Sequence, residues 1–571
     1  MKFLQLVLFV LIVTSCKCQT EKQTENKVEK AQPNILWIVT EDISPMLSFY
    51  GDDTAKTPNL DALAKESVVY DNAFAVVGVC GPSRSSIITG MYPTSIGTMH
   101  MRTGQDVMNW GKRTYKTKTN RYDLEGNEIV QYSAVIPGYV KCFTEYLRKD
   151  GYFTTNNEKT DYQFAAPITA WDENGKKAHW RNRNESQPFF SVFNFGTTHE
   201  SRIWKNTDLP QTVDPKSVLV PPYFQDTETS RNDIARVYSN IELMDRQVGE
   251  IIQQLKDDGL YDNTIIFFYS DHGGPLPRQK REPYESGLHV PFMVKGLDGK
   301  IGHSEQMVSF VDLAPTVLSL ANIKAPKHIQ GKAFLGEYVT EKREVAYATS
   351  DRFDEFTDRS RTVYFDDFIY IKNDFPEKVW YKDVGYRKQV PMMTEMLSLR
   401  EAGKLNETQL KWFSYKPKEE LYNRKTDPHN LNNLAQDSNH KIQLEKGRSL
   451  ILEFKKGQLE DKAMQPEAQM VKDMWPDFVQ PITKPVTLST STTLSTGSDE
   501  TSQGKTITLS SKTKGASIAY IISNELSQDY DFNSPWQLYS EPIQLKKGDV
   551  IYAIAERIGY KVSEITNHKV E

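Results

Sequence analysis

The chain has 571 residues, a formal net charge of −5, 25% charged and 38% hydrophobic residues, and four cysteines. At that length more than one domain is expected. The mild acidity, with no basic stripe interleaved with aromatics, excludes a nucleic-acid-binding protein, and beyond the first residues no apolar run approaches the roughly 20 residues of a membrane span.

Residues 1–15 carry Lys2, an apolar run from Phe3 to Val13 and the small pair Thr14-Ser15, which read as a secretory signal peptide too short to span a bilayer. Val13-Thr14-Ser15-Cys16 resembles a bacterial lipobox, which implies cleavage before Cys16 and its lipidation. Residues 16–32 are rich in Lys, Glu, Gln and Asn, cannot bury themselves, and read as a flexible tether. The expectation is an exported lipoprotein of the periplasm or cell surface, held to the membrane by its lipid anchor alone. Cys18 and Cys142 sit in unrelated contexts, so no disulfide framework is indicated.

Residues 33–340 read as an α/β catalytic domain. Asn34-Ile35-Leu36-Trp37-Ile38-Val39-Thr40 is a continuous apolar run, as in a strand buried on both faces of a parallel sheet, and similar runs lie at 189–195, 264–270 and 290–294. Residues 233–255 place Ile234, Val237, Ile241, Met244, Val248, Ile251 and Leu255 at helical spacing. Alternating strands and helices predict an α/β sandwich, and in open sheets polar residues just past the strand ends share a crevice. Glu41-Asp42, Asp271-His272 and His199 all occupy such positions.

After about residue 340 the texture changes. Residues 341–484 contain 360–365 and 368–371, which read as strands of a smaller antiparallel sheet. Residues 485–571 are Ser/Thr-rich with alternating strands, read as an appended β-sandwich module with a spacer or packing role.

Cys80-Gly81-Pro82-Ser83-Arg84, followed by Thr89-Gly90, resembles the signature of the type I, formylglycine-dependent sulfatases of the alkaline-phosphatase superfamily. Further motifs follow in the family's order: Glu41-Asp42, Tyr50-Gly51-Asp52, Thr57-Pro58-Asn59-Leu60-Asp61, Ser270-Asp271-His272-Gly273, and Lys280 within Lys280-Arg281-Glu282-Pro283-Tyr284-Glu285-Ser286-Gly287. The resemblance spans roughly residues 33–460. It implies that Cys80 is converted to formylglycine by a maturation enzyme, and that Glu41, Asp42, Cys80, Asp271 and His272 bind one metal ion, Ca²⁺ first because the oxygen ligands are hard. His272 keeps another divalent metal open, since imidazole suits transition metals. Arg84, Lys159 and Lys280 are implied to neutralise sulfate, and His199 to protonate the leaving oxygen.

Two departures stand out. Glu41 takes the place of the usual Asp, and Asp161 stands two residues after Lys159 where the family has a histidine. Asp161 is a candidate base or orienting group, and His100 a candidate substitute imidazole or substrate contact. The wording around Thr40-Glu41-Asp42-Ile43-Ser44-Pro45 and Thr98-Met99-His100-Met101-Arg102-Thr103 resembles a subgroup of bacterial polysaccharide sulfatases with ulvan-active members. The expected function is sulfate removal from a sulfated polysaccharide or its oligosaccharides, ulvan first. The alternatives are a phosphonate or phosphodiester hydrolase of the same superfamily and a catalytically silent glycan-binding lipoprotein.

Overall fold

The computed structural model describes residues 32–104, 121–297, 299–492, 505–526 and 529–571. The signal peptide, Cys16, Cys18 and nearly all of the tether read from the sequence lie outside the described residues.

An eight-stranded mixed sheet organises the catalytic part. Its strands are β1 (Asn34–Thr40), β2 (Ser67–Phe74), β3 (Phe153–Asn157), β4 (Glu173–Asn174), β5 (Phe189–Phe195), β6 (Thr264–Ser270), β7 (Phe292–Lys295) and β8 (Gly302–Ser309), in the spatial order β4-β3-β5-β1-β6-β7-β2-β8. Side chains of a strand alternate between faces, so a continuous apolar run requires two cores. Ile35, Trp37 and Val39 enter one core while Leu36 and Ile38 enter the other, and β6 divides Ile265, Phe267 and Tyr269 from Ile266 and Phe268 in the same way. The helix Glu228–Asp257 covers the second core with Ile234, Val237, Ile241, Met244 and Val248, and Thr227 caps its start by accepting from the Ser230 N–H at 3.2 Å. The run at 290–294, which reads like the parallel strands, proves to be β7, antiparallel to both neighbours.

A second, four-stranded antiparallel sheet is built from β9 (Val345–Ser350), β10 (Ser360–Phe365), β11 (Phe368–Asn373) and β12 (Glu419–Asn423), in the order β12-β11-β10-β9. The helix Lys441–Gly457 packs on it where Gly447 has no side chain; a Cβ there would stand 2.5 Å from the Tyr370 ring.

The C-terminal residues form two further sheets. One pairs β13 (Val486–Thr492), β14 (Lys505–Ser511) and β17 (Ile543–Leu545); the other holds β15 (Ser517–Ser523), β16 (Gln537–Leu538), β18 (Val550–Glu556) and β19 (Thr566–Lys569). Ile507, Leu509, Ile518, Ile551 and Ala553 share the apolar core between them. This unit is bonded to the α/β part at several points: Arg148 donates to Trp536 O at 2.7 Å, Lys141 to Gly515 O at 2.7 Å and Arg557 to Ile136 O at 3.0 Å, while Glu556 accepts from the Ile168 N–H at 2.8 Å.

Candidate active site

Strands β5, β1 and β6 are adjacent and parallel, with Thr40 opposite both Phe195 and Ser270. Their carboxyl ends therefore deliver Glu41-Asp42, the turn to His199-Glu200, and Asp271-His272 to one edge of the sheet. The helix Cys80–Thr89 is buried along its whole length and presents Cys80 to this edge from its first position. Ser83 fixes it by donating to Asp271 O at 2.6 Å, and Gly78 allows the preceding chain to run against Glu282, since a Cβ there would meet the Glu282 carbonyl at 2.8 Å.

Around the Cys80 sulfur stand His272 Nε2 at 3.3 Å, Lys280 Nζ at 3.5 Å and Asp42 Oδ1 at 3.8 Å. Asp42 is the hub. Its Oδ2 accepts from Lys280 Nζ at 2.6 Å and from the Glu200 N–H at 2.7 Å, and its Oδ1 lies 3.0 Å from His272 Nε2. Although burial opposes its ionised form, Lys280 with the neighbouring histidines holds the Asp42 carboxyl well below the usual carboxylate range. Burial likewise disfavours a charged His272, yet Asp271 and Asp42 push it up to about 10.

A ring of cations surrounds this hub. Arg84 donates from Nε to Asp271 at 2.9 Å and from Nη1 to Asn194 at 2.7 Å, while its Nη2 is buried without a hydrogen-bond partner. Lys159 Nζ lies 3.0 Å from Glu41 and 3.6 Å from Asp161. Both Asp161 oxygens are buried and have no hydrogen-bond partner among the described residues, and a Cβ on Gly81, next to Cys80, would stand 3.3 Å from Asp161 Oδ1.

His199 projects toward Glu41, with Nε2 3.9 Å from Glu41 Oε2. Its Nδ1 accepts from the Ser201 N–H at 3.2 Å and lies 2.9 Å from Ser201 Oγ, which assigns the proton of the neutral ring to Nε2. Burial, aided by the Lys280 charge, lowers its pKa to about 4. The ring is therefore neutral near pH 7 and offers an Nε2–H to whatever occupies the cleft.

The structure thus gathers Glu41, Asp42, Cys80, Arg84, Lys159, Asp161, His199, Asp271, His272 and Lys280. His100 lies elsewhere, buried beside Arg352 and Glu467 on a cavity of about 370 Å³ that none of these residues lines, and burial lowers its pKa to about 4. Sequence reasoning gave no role to Glu200 and Arg281, which form a buried ion pair at 2.8 and 2.9 Å; their adjacency to His199 and Lys280 was the available signal. Arg281 also donates to Asp354 at 2.9 Å, and Asp354 pairs with Arg102. Among the described residues, six of the twelve non-glycine positions with positive φ belong to this region: Asp42, Arg102, Asp161, Gln163, Arg281 and Asp354. Backbone strain of that kind persists where surrounding contacts enforce it, and it clusters at functional sites.

The donor set suits a divalent cation. One candidate ligand atom each from Asp42, Cys80, Asp271 and His272 lies within 4.8 Å of the others, and the same holds for Glu41, Asp42, Cys80 and His199. The carboxylates select positive charge strongly enough to favour a protonated imidazole at the centre of the first group.

The sulfatase family model matches residues 33–323. An ulvan-active sulfatase of Formosa agariphila is 40% identical, over 98% of this chain and 96% of that protein. Two solved structures share the fold at low identity. A 2-O GAG sulfatase has TM-score 0.53 and 16% identity over 76% of this chain and 94% of that one; the phosphonate monoester hydrolase of Silicibacter pomeroyi has TM-score 0.54 and 14% identity over 76% and 96%. The second shows that this fold also carries phosphonate chemistry, so the fold alone does not set the reaction. The family model, spanning the strands and the Cys80 helix that build the cluster, and the match along nearly the whole chain settle the assignment: the chain belongs to the sulfatase family.

Proposed function

We propose that this sulfatase removes sulfate from a sulfated polysaccharide or its oligosaccharides, with ulvan the first candidate, through Cys80 matured to formylglycine and a divalent cation, Ca²⁺ first, held by Glu41, Asp42, Asp271 and His272. The observation that carries the reading is the convergence at Cys80 of three carboxylates, three cations and one imidazole with its proton on the cleft side. The ulvan choice rests on the Formosa agariphila relative.

Hydrated formylglycine supplies an oxygen nucleophile, and a divalent cation supplies positive charge beside it. The chain's own residues do the rest. Arg84, Lys159 and Lys280 offset the negative charge of the sulfate oxygens, and the unpartnered Arg84 Nη2 gains an acceptor when one of those oxygens arrives. His199 hydrogen-bonds the departing sugar oxygen from Nε2, and proton transfer to that oxygen proceeds from its imidazolium form, which burial and Lys280 disfavour and the charges of Asp42 and Glu41 favour. Asp161, without a hydrogen-bond partner beside Gly81, accepts a proton on the nucleophile's side, from the position where the family has a histidine. Maturation calls for a formylglycine-generating partner. Residues 1–32 extend the proposal to export and lipid anchoring through Cys16, at the periplasm or cell surface.

The test is mass spectrometry of the peptide spanning Cys80 after co-expression with a formylglycine-generating enzyme, followed by sulfate release from a panel of glycans that includes ulvan. Oxidised Cys80, with release abolished in Cys80→Ala, is the expected result. Unmodified Cys80 without release would favour a glycan-binding protein. Faster cleavage of an aryl phosphonate diester than of the matched aryl sulfate would favour the phosphonate reading.

A further inference from the structure

Beyond the sulfate-binding cluster, the side of the site next to His199 is built from residues that neither the sulfate nor the nucleophile needs. Trp204, on the short helix Arg202–Lys205 that follows His199, meets Tyr386 edge-on at 5.3 Å between ring centroids, and Tyr386 lies 6.3 Å from the His199 ring. Both aromatics are half-buried. Tyr386 is delivered from a distant part of the sequence by its neighbour Arg387, which donates to Lys280 O at 2.8 Å and to Glu282 at 2.7 Å. This corner is thereby tied to the same loop that carries Lys280.

Arg102 completes the corner. Its guanidinium carbon stands 4.4 Å over the Tyr386 ring, and its Nε is committed to Asp354, which is all but sealed from solvent. Among the described residues only the Nε–H of the five guanidinium N–H donors is engaged, the two terminal amino groups making no hydrogen bond, and the side chain is 24% exposed. Arg102 and Asp354 both adopt left-handed backbone conformations, at φ 60° and 52°. The chain thus holds an arginine with left-handed backbone and a partly exposed side chain one aromatic ring away from the histidine of the leaving group.

We propose that Arg102, backed by Tyr386 and Trp204, forms a specificity site for a second anionic group on the sugar adjacent to the one that loses its sulfate. A carboxylate or a second sulfate ester matches the fork, and the aromatic corner suits the apolar face of that sugar ring. The inference rests on the glycan-sulfatase reading above and narrows it: the natural substrate is an oligosaccharide with negative charge on neighbouring residues, not an isolated sulfated sugar.

The test compares kcat/KM on three synthetic disaccharides that share one sulfate ester and differ only on the adjacent sugar, which bears a carboxylate, a second sulfate or a neutral hydroxymethyl group. The wild-type enzyme is expected to prefer one charged form over the neutral one by about tenfold or more, the worth of a charge-assisted hydrogen bond. Which charged form leads identifies the anion. In Arg102→Gln that preference collapses toward unity, and Arg102→Lys restores part of it. Equal turnover of all three disaccharides by the wild type, which requires no variant to fold, would overturn the proposal, as would an equal loss on all three in Arg102→Gln. A wild-type enzyme that releases sulfate from none of them, nor from any glycan of the panel, would instead strike at the glycan-sulfatase reading itself.

Discussion

Arg281 donates two hydrogen bonds to Glu200, at 2.9 and 2.8 Å, and both side chains are essentially without solvent exposure. Glu200 also lies 3.4 Å from Lys280, so one carboxylate steadies two adjacent cations of the loop that reaches Cys80. Although burial opposes its ionised form, Arg281 and Lys280 lower its pKa to about 2.

Without the Glu200 charge Arg281 keeps only Asp354 and Lys280 only Asp42 as carboxylate partners. Glu200→Gln should therefore destabilise the protein by about 1–3 kcal/mol, the cost of weakened charge-assisted hydrogen bonds. Thermal melting checks this, and an unchanged melting temperature would contradict the finding that the pair is sealed.

His199→Ala should lower kcat on a sugar sulfate by about 10²–10⁴-fold, the usual contribution of a positioned proton donor. Its effect on 4-nitrophenyl sulfate should be much smaller, because that leaving group departs without protonation. Parallel kinetics on the two substrates separate this role from general damage to the cleft, which would depress both alike.

Chelation of divalent cations should reduce both sulfate release and melting temperature, and added Ca²⁺ should restore both. A ligand bound only to the folded state at a hundred times its Kd stabilises by about 2.7 kcal/mol. Asp271→Ala should abolish the Ca²⁺-dependent rise in melting temperature, since Asp271 sits between Arg84 and His272 in the donor set.

Far from the cleft, burial raises the Asp233 carboxyl to about 7, despite the hydrogen bond it accepts from the Met392 N–H at 2.7 Å. Its folded pKa lies above the unfolded value, so its contribution to stability is complete below about pH 4 and is lost as pH rises through 7. Asp233→Asn keeps the acceptor without the charge. It should melt close to the wild type at pH 4.5 and above it at pH 8, by an increment of about 4 kcal/mol in stability. Melting curves across that range give the sign directly.

What could be read from the sequence is whatever physics writes locally. The buried runs of β1, β5 and β6 announce strands covered on both faces, and polar residues just past their ends announce a crevice, because strand length and side-chain alternation are local properties. Strand direction is not local: the run at 290–294 has the same texture as its parallel neighbours, yet β7 runs antiparallel to both. The Cys80 helix and the Lys280 loop could be read from their motifs. The Arg102–Asp354 pair could not, since its members lie 252 residues apart and each looks like an ordinary surface charge. His100 stands two residues from Arg102 yet lines the cavity beside Arg352 and Glu467, a placement that sequence proximity does not reveal.

The bonds that join the C-terminal sheets to the α/β part also bear on truncation. Cutting the chain near residue 485 would take the Trp536 acceptor from Arg148, those of Lys141 at Gly515 and Ser517 and that of the Ile168 amide, and uncover Ile168, which packs with Ile521 and Trp536. The shortened enzyme would carry a sticky, polar-starved wound where the native molecule has a seam, and aggregation during expression would be its signature. The last strands are masonry of the catalytic body, and a homologue trimmed to its family-defining region should be judged with that seam in view.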